Sequence, residues 1–346
     1  MKAVRVCGEK KTEIIEVDKP VVKPDEVLIK VFGCMLCTFE QRVFKGMLPF
    51  LLPFVGGHEF AGVIEAVGAN VRKEDYPIGA RCSAAILTAC GECDACKRGD
   101  DGVCMHINDP EVTAGKNGLA EYITVKSKSV YIFPDDVPYE RIMFTEPLAC
   151  VISAHDKIDI QLEDHVLVLG AGIMGVMLAK IAKMRGAHVT VSDPVAERRE
   201  AVKKLGFCDE VIDPTEKDFI QVGRKIAAPR GFNAVINTVA IPAVIDQGLD
   251  LLAPGGSFLM YGKVFPNEKV PIDINRIHDN EMKIFGTMSG DIRSFYRAAK
   301  VLAVGDFCPE KMGLISLLID MEDAQRAYEE AMNPANFRIG IKFADL

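Results

Sequence analysis

The sequence predicts an α/β protein with two domains, one built from short strands and the other from a parallel sheet covered by helices. Its 346 residues are long for one domain and sufficient for two. Up to about residue 135 the chain has the texture of short β-strands, whereas from about residue 148 apolar strands alternate with helices. We therefore predict a first domain at 1–147, a second at 148–285, and a C-terminal segment at 286–346 that packs back on the first domain.

Composition excludes several classes of function. Hydrophobic residues make up 49% of the chain, the formal net charge is −8, and the basic residues form no stripe, so we expect no nucleic-acid partner. The opening MKAVRVCGEKK lacks the apolar core of a signal peptide. The longest apolar stretch, HVLVLGAGIMGVMLAK, contains three glycines and is shorter than the roughly 20 residues of a membrane span. We expect a soluble, cytoplasmic protein with no membrane partner, whose cysteines are reduced or bound to metal.

Runs of β-branched and aromatic residues indicate the strands of the first domain. They include VLIKVFG, AGVIEAVG and AEYITVKSKSVYIF, with glycines and prolines between them. Closely spaced short strands of this kind predict a small β-barrel. A cysteine-rich segment interrupts the barrel as a loop.

The second domain shows a repeated strand–helix order. HVLVLG, AHVTVSD, FNAVINTV and SFLMYG indicate strands, and helical sequence connects them, including AERREAVKKLG and AVIDQGLDLLAPGG. Such alternation is typical of a doubly wound parallel sheet. In the C-terminal segment, FYRAAKVLA and DMEDAQRAYEEAM indicate two helices and RIGIKF a closing strand.

The segment GAGIMG, residues 170–175, fits the G-x-G-x-x-G pattern of a dinucleotide-binding loop. Its context supports this interpretation, because an apolar strand precedes it and a helix follows it. Gly170 would permit the tight turn, Gly172 the approach of a pyrophosphate, and Gly175 close packing of the helix. The helix N-terminus would offer N–H groups to the phosphates.

The coenzyme preference depends on Asp193, at the end of the second strand of this domain. A carboxylate there accepts hydrogen bonds from the ribose hydroxyls and repels a 2′-phosphate, which predicts NAD rather than NADP. Arg198 and Arg199 oppose this prediction, since an arginine can hold a 2′-phosphate, although one of them could stack on the adenine instead. The predicted cofactor-binding residues are Gly170, Gly172, Ile173, Met174, Gly175, Asp193, Arg198 and Val239.

Four cysteines in CGECDACKRGDDGVC have the spacing of a metal site. They are Cys90, Cys93, Cys96 and Cys104. Four thiolates suit tetrahedral zinc, and an iron–sulfur cluster is the alternative, although the ferredoxin pattern closes with a shorter gap and a proline. A site of four thiolates has no open position for substrate, so we expect this zinc to be structural.

Other potential ligands are scattered over separate segments. They are Cys37 in MLCTFEQ, the pair His58 and Glu59 in GGHEFAG, and Glu146 in FTEPLAC. A thiolate, an imidazole and carboxylates with one open position make a catalytic zinc site. Taken singly, each residue also has an ordinary structural interpretation, and spacing does not decide between the two.

The chain resembles the zinc-dependent medium-chain dehydrogenases of the alcohol and sorbitol dehydrogenase superfamily almost from end to end. The resemblance rests on GGHEFAGVIEAVG, on the C-x2-C-x2-C-x7-C segment, on EPLA, and on GAGIMG with Asp193, in the order of that family. It implies a GroES-like β-barrel catalytic domain and a Rossmann-type coenzyme domain. It also implies two zinc ions per chain, one catalytic and one structural.

The resemblance also implies roles for single residues. Cys37 and His58 match zinc ligands, and Glu59 matches a carboxylate that ligates zinc in some members. Glu146 stands where polyol dehydrogenases have a glutamate near the zinc and typical alcohol dehydrogenases have a cysteine. Glu146 therefore favours the polyol branch.

The chain departs from the family pattern after Cys37. CTFEQRVFKG places Phe39 where the family has the serine or threonine that relays the proton, and Glu40 where it has an aspartate. Glu40 can still accept the imidazole N–H of His58. Phe39 cannot relay a proton, so Thr38 would have to replace the hydroxyl, or water with Glu59 or Glu146 would carry the proton, or the site serves another purpose.

These observations predict a zinc-dependent oxidoreductase that transfers a hydride between a secondary alcohol and NAD to give a ketone, the alcohol being a polyol or sugar alcohol. The alternatives are a metal-free NAD(P)H carbonyl or enone reductase of the same superfamily and a non-catalytic nicotinamide-sensing protein. The resemblance further implies a homodimer or homotetramer that assembles through edge strands of the coenzyme domain, with SFLMYGKVF as the expected edge.

Overall fold

The chain forms two compact units in a computed structural model that describes residues 1–109, 112, 117–239, 241–264, 267–305 and 307–346. The first unit comprises Met1–Ala149 together with Gly290–Leu346, and the second comprises Cys150–Ser289. The predicted boundaries lie after residues 147 and 285, whereas these units divide after Ala149 and Ser289.

The described residues contain fifteen strands and eleven α-helices. The strands are β1 (Lys2–Gly8), β2 (Lys11–Glu16), β3 (Glu26–Met35), β4 (Glu59–Val67), β5 (Arg81–Ala84), β6 (Tyr122–Lys126), β7 (Val130–Phe133), β8 (His165–Leu169), β9 (His188–Ser192), β10 (Glu210–Ile212), β11 (Phe232–Asn237), β12 (Leu252–Met260), β13 (Lys283–Gly286), β14 (Ile315–Asp320) and β15 (Arg338–Lys342). The helices are α1 (Thr38–Phe44), α2 (Asp94–Lys97), α3 (Tyr139–Ile142), α4 (Thr145–His155), α5 (Ile173–Met184), α6 (Ala196–Lys204), α7 (Phe219–Ile226), α8 (Pro242–Leu251), α9 (Ile274–Asp279), α10 (Ile292–Val304) and α11 (Ala324–Ala331).

The first unit is built on a seven-stranded sheet in the order β14-β15-β3-β4-β5-β7, with β6 also paired to β3, and on the hairpin β1-β2. Strand β3 is buried along almost its whole length and pairs with β4, β6 and β15, so it lies at the centre of the sheet. Through β14 and β15 the C-terminal segment continues the sheet that the N-terminal residues begin.

Helix α1 corrects the prediction that the first 135 residues consist of strands and loops. The helix begins directly after the central strand, because Cys37 caps its N-terminus by accepting a hydrogen bond from Phe39 N at 3.1 Å. Glu40 lies in the first turn, where the negative charge of a carboxylate interacts favourably with the helix dipole. No sequence pattern signals this helix, because it is short and cysteine is not a usual N-cap residue.

The second unit contains a six-stranded sheet in the order β10-β9-β8-β11-β12-β13, and every pair is parallel. The strand order reverses between β8 and β11, which is where doubly wound sheets bind their ligands. The predicted fold class is therefore confirmed for this unit.

The prediction that SFLMYGKVF forms the edge of this sheet is wrong. Its strand, β12, pairs with β11 on one side and with β13 on the other, and β13 is the edge. The predicted domain ends at residue 285, and its predicted strands do not include the four residues of β13. Phe265, at the end of the predicted edge segment, lies outside the described residues. No helix among the described residues is long and apolar enough to cross a membrane.

Candidate metal centres and coenzyme loop

The four cysteines of the loop converge on one point. Their sulfur atoms all lie within 4.8 Å of one another, and the Sγ distances from Cys96 to Cys90 and Cys93 are 3.8 and 3.5 Å. Zinc–sulfur bonds of about 2.3 Å at tetrahedral angles place the sulfurs about 3.8 Å apart. The cluster therefore fits a structural zinc ion, as predicted.

Local backbone geometry prepares these sulfurs for a cation. Helix α2 starts directly after Cys93, and backbone N–H groups point at the sulfurs of Cys90 and Cys104 at 3.3–3.4 Å. Backbone N–H groups of Cys96 and Met105 lower the pKa of the Cys93 thiol to about 6. Such N–H groups favour the thiolate, which is the form that binds metal.

A Cys96→Ser variant should lose this zinc selectively. The substitution removes one of the four thiolates. We expect the zinc affinity to fall by more than about 100-fold, because loss of a ligand costs more than loss of a residue that only supports a ligand. Zinc per chain after dialysis against a chelator measures the effect. Cys7→Ser, which changes a half-buried cysteine outside the cluster, is the control and should retain the wild-type zinc content. Equal zinc retention in the Cys96→Ser variant and the wild type would contradict the assignment.

A second group brings together Cys37, His58 and Glu59, whose ligand atoms also lie within 4.8 Å of one another. The strand register explains the convergence. Met35 of β3 pairs with Glu59 of β4, so Cys37, just past the end of β3, faces His58, just before β4. Glu59 is buried, and its Oε2 atom has no hydrogen-bond partner among the described residues. A buried carboxylate oxygen without a hydrogen-bond partner, next to a thiol and an imidazole, is an arrangement that can bind a cation. Three protein ligands would leave the fourth position of a tetrahedral zinc ion for water or substrate.

Glu40 holds the histidine of this group. Its Oε1 atom lies 3.1 Å from His58 Nδ1 and accepts the N–H of Gly57 at 3.1 Å. Burial raises the pKa of Glu40, but the adjacent His58 and the N–H of Gly57 outweigh burial and lower it to about 2. An ionised Glu40 orients the imidazole so that Nε2 is the nitrogen available to a metal.

Arg338 belongs to the site, although it is not among the residues predicted from the sequence. Its guanidinium forms a short, buried ion pair with Glu59 Oε1, and the two side chains are 4% and 2% exposed. Burial raises the pKa of Glu59, while the positive charge of Arg338 opposes that shift. Nothing in RIGIKF signals this role, because the residue reaches Glu59 only through the pairing of β15 with β3.

The other predicted catalytic residues lie outside the group of three ligand candidates. Glu146 is the second residue of α4. Burial lowers the pKa of the Arg338 guanidinium, but the negative charges of Glu59, Cys37 and Glu146, in that order, outweigh burial and raise it. Thr38 is the first residue of α1 and its side chain is exposed. Phe39 follows it, and its ring packs edge-on against Phe54 with the centroids 5.8 Å apart.

The loop after β8 has the geometry that the G-x-G-x-x-G pattern predicts. Gly170 has a φ of +102°, and an added Cβ would meet Thr238 Oγ1 at 2.5 Å and Val239 Cγ2 at 2.7 Å. A Cβ at Gly172 would meet nothing within 4 Å, whereas one at Gly175 would lie 1.9 Å from the carbonyl oxygen of Gly170. The loop is thus open at Gly172, where a pyrophosphate would approach, and tightly closed at Gly175. Helix α5 begins with Ile173 and Met174.

Asp193 is buried at the end of β9, beside this loop. Its carboxylate oxygens accept hydrogen bonds from Ala171 N at 2.8 Å and from Val195 N at 2.9 Å. Arg198 Nη1 lies 3.9 Å from the same carboxylate, and Arg199 Nη1 donates to the Asp193 carbonyl oxygen at 2.6 Å. The aspartate therefore ties the second strand to the glycine loop, and both arginines that oppose the NAD prediction lie next to it.

His155, at the end of α4, has a structural position in the second unit. The imidazole is fully buried, and Nε2 lies 3.0 Å from the carbonyl oxygen of Leu178. Burial and the positive charge of Arg185 lower the pKa of His155 to about 4. The folded state therefore binds the His155 proton more weakly than the unfolded chain does.

This shift predicts that folding stability falls as the pH decreases from 6.5 toward 4. The pKa of His155 in the folded protein lies below its value of about 6.5 in the unfolded chain. Above pH 6.5 the imidazole is neutral in both states and folding stability is not reduced. As the pH falls, the unfolded chain binds the proton first, and the free energy of unfolding decreases by about 3 kcal/mol near pH 4. In His155→Gln, which cannot titrate, this part of the pH dependence should vanish. Urea unfolding at pH 7 and 5 measures it, with the exposed His278→Gln as control. Parallel losses in the wild type and His155→Gln would refute the prediction.

Comparison with known proteins agrees with this geometry. Residues 23–135 match the alcohol dehydrogenase GroES-like domain, and residues 174–303 match the zinc-binding dehydrogenase domain. The D-arabitol-phosphate dehydrogenase of Enterococcus avium is 30% identical over 341 residues, covering 97% of this chain and 95% of that protein. The sorbitol dehydrogenase of Bacillus subtilis is 28% identical over 341 residues, with the same coverage of the two chains.

A solved structure shows the same fold. It is a zinc-binding dehydrogenase from Sinorhizobium meliloti bound to NADP, with a TM-score of 0.89, 26% identity and 99% of each chain covered. Fold and site together define a zinc-dependent oxidoreductase with a nicotinamide coenzyme. The chain belongs to the zinc-dependent medium-chain dehydrogenase family, which confirms the resemblance predicted from its motifs.

Proposed function

We propose that the protein oxidises a secondary hydroxyl of a polyol or sugar alcohol to a ketone, with NAD as the hydride acceptor. The observation that carries the proposal is the convergence of Cys37, His58 and Glu59, with Glu40 behind the histidine. Relatives support the substrate class, since they include dehydrogenases named for D-arabitol phosphate, D-arabinitol and sorbitol.

Each residue of the site has a separate task in this reaction. Cys37, His58 and Glu59 would hold the zinc, and Glu40 would keep His58 in the orientation for binding. When bound, zinc would polarise the substrate hydroxyl, and the nicotinamide would take the hydride. Phe39 has no hydroxyl to relay the proton, and Glu59 would be occupied by the zinc and by Arg338. We therefore assign that task to water together with the carboxylate of Glu146.

The coenzyme would lie on the glycine loop, with its pyrophosphate at the N-terminus of α5. Asp193 supports NAD, since a 2′-phosphate would lie against a carboxylate. Arg198 is close enough to bind such a phosphate if the carboxylate were removed. Kinetics with both coenzymes test the preference, and Asp193→Ser should move it toward NADP.

The alternatives are less well supported. A metal-free reductase does not explain why Cys37, His58 and Glu59 converge. A non-catalytic sensing protein does not explain a metal site with one position left for a substrate. Assembly as a homodimer or homotetramer and a cytoplasmic location remain predictions. Because β13 lies at the edge of the second sheet, it replaces β12 as the strand through which two subunits would pair.

Zinc content and turnover test the proposal together. The purified protein should contain two zinc ions per chain and reduce NAD in the presence of at least one member of a panel containing sorbitol, arabitol, erythritol and meso-butane-2,3-diol. One zinc per chain that added metal does not increase, with no turnover of the panel, would overturn it and favour the metal-free or sensing alternatives.

A further inference from the structure

Two aromatic side chains stand beside the ligand candidates of the first unit, and we call Phe39 and Phe54 the aromatic wall. Phe39 is 40% exposed, although it is a large apolar residue next to a polar site. Its ring packs edge-on against Phe54 at 5.8 Å between centroids, and part of the side chain stays accessible to solvent.

The aromatic wall is fixed to the same segments that carry the ligands. Phe39 N donates to Cys37 Sγ at 3.1 Å, which fixes the backbone of Phe39 beside the thiol. Phe54 is anchored by two backbone hydrogen bonds to Val6 of β1, at 2.8 and 2.9 Å. Its ring lies against Gly56, where an added Cβ would be 2.5 Å from Phe54 Cε1. The same Cβ would lie 3.0 Å from Glu40 Oε1, so the Phe54 ring lies near the carboxylate that orients His58.

An apolar wall selects against hydroxyl groups. A hydroxyl placed on an aromatic face gives up hydrogen bonds to water and finds no partner, whereas an alkyl group gains by leaving water. A fully hydroxylated polyol carries a hydroxyl on every carbon, so it would place one against this wall.

We propose that the substrate is a partly deoxygenated polyol, with an alkyl group instead of a hydroxymethyl group on the carbon next to the reacting hydroxyl. This inference rests on the proposed dehydrogenase function and narrows its substrate class. Phe39 is then a specificity-determining residue. Because an apolar pocket rejects an added hydroxyl by no more than about 100-fold, we expect discrimination of about 10- to 100-fold.

Two four-carbon alcohols of the same configuration test the inference directly. Meso-butane-2,3-diol and erythritol share their two secondary hydroxyls and differ only in the terminal groups, methyl in one and hydroxymethyl in the other. In the wild type, kcat/KM for the butanediol should exceed that for erythritol by at least tenfold. In Phe39→Ser the ratio should fall at least tenfold, because the wall acquires a hydroxyl and opens to water.

Two control variants separate polarity from damage to the fold. Phe39→Leu keeps an apolar side chain and should preserve the ratio within about threefold. Phe50→Ala changes a nearby phenylalanine that is 78% exposed and lies outside the wall, and it should leave both rate constants unchanged. A wild-type preference for erythritol, or an unchanged ratio in Phe39→Ser, would overturn the inference.

A binding measurement distinguishes this inference from the proposed function. Should neither alcohol be oxidised, the visible absorption of the cobalt-substituted protein gives the dissociation constants of both alcohols, and the same tenfold ratios apply. Failure to bind either alcohol would overturn the inference. Turnover of sorbitol or arabitol would at the same time leave the proposed function intact, whereas loss of the whole panel would reject it.

Discussion

A His58→Ala variant should contain one zinc ion per chain and oxidise alcohols at least about 1,000-fold more slowly than the wild type. The substitution removes one of three converging ligands and leaves the four-cysteine cluster unchanged. Loss of the polarising cation removes several kcal/mol of transition-state stabilisation, which corresponds to a factor on the order of 10³. Elemental analysis and steady-state kinetics on the same preparation measure both effects.

Two further variants test this result, one with a smaller expected effect and one as a control. Glu40→Gln keeps all three ligands and weakens the support of His58, so zinc affinity should fall by about 10- to 100-fold. His278→Ala removes a histidine whose side chain is 85% exposed and should retain two zinc ions and full activity. A His58→Ala protein that keeps two zinc ions would show that the second ion lies elsewhere.

An Arg338→Met variant should lose about 3–5 kcal/mol of folding stability in the zinc-free protein. The substitution leaves the carboxylate of Glu59 buried without its counter-charge, and removing one partner of a buried pair costs about this much. Zinc should recover part of the loss, since the cation would supply a new counter-charge to Glu59. Denaturant unfolding with and without zinc measures the effect.

A double variant tests the cause of that loss. Arg338→Met combined with Glu59→Gln removes both charges, so it should be more stable than Arg338→Met alone. Arg326→Met, on the exposed face of α11, should change stability by no more than about 0.5 kcal/mol. If the double variant is as unstable as the sum of its single variants, the ion pair does not account for the stability.

Local chemistry was sufficient to predict the parts of the molecule whose residues are close in the sequence. The four cysteines lie within 15 residues at a spacing that suits one zinc ion, so a single loop supplies all four ligands. The glycine loop is equally local, because a tight turn between β8 and α5 needs glycine at fixed offsets. The alternation of strands and helices predicted the parallel sheet, since connections of that kind have few other solutions.

Contacts between residues that are far apart in the sequence were decided only by the tertiary structure. Glu59 and Arg338 are separated by 279 positions, and no pattern in RIGIKF indicates that its arginine faces a buried carboxylate. Motif knowledge suggested that Cys37 and His58 belong together, but the register of β3 against β4 is what brings them into contact. The edge of the second sheet likewise depended on the four residues of β13, which are too few to show a period.

The physical reason is the range over which each signal acts. Spacing, turn chemistry and periodicity constrain the backbone within a few residues, and they determined the cysteine cluster, the glycine loop and the fold class. Strand pairing and buried ion pairs depend on which distant segments share a sheet. These contacts place Arg338 behind Glu59 and set Phe54 against Phe39, so only the folded structure could show how the second metal centre is supported and what borders it.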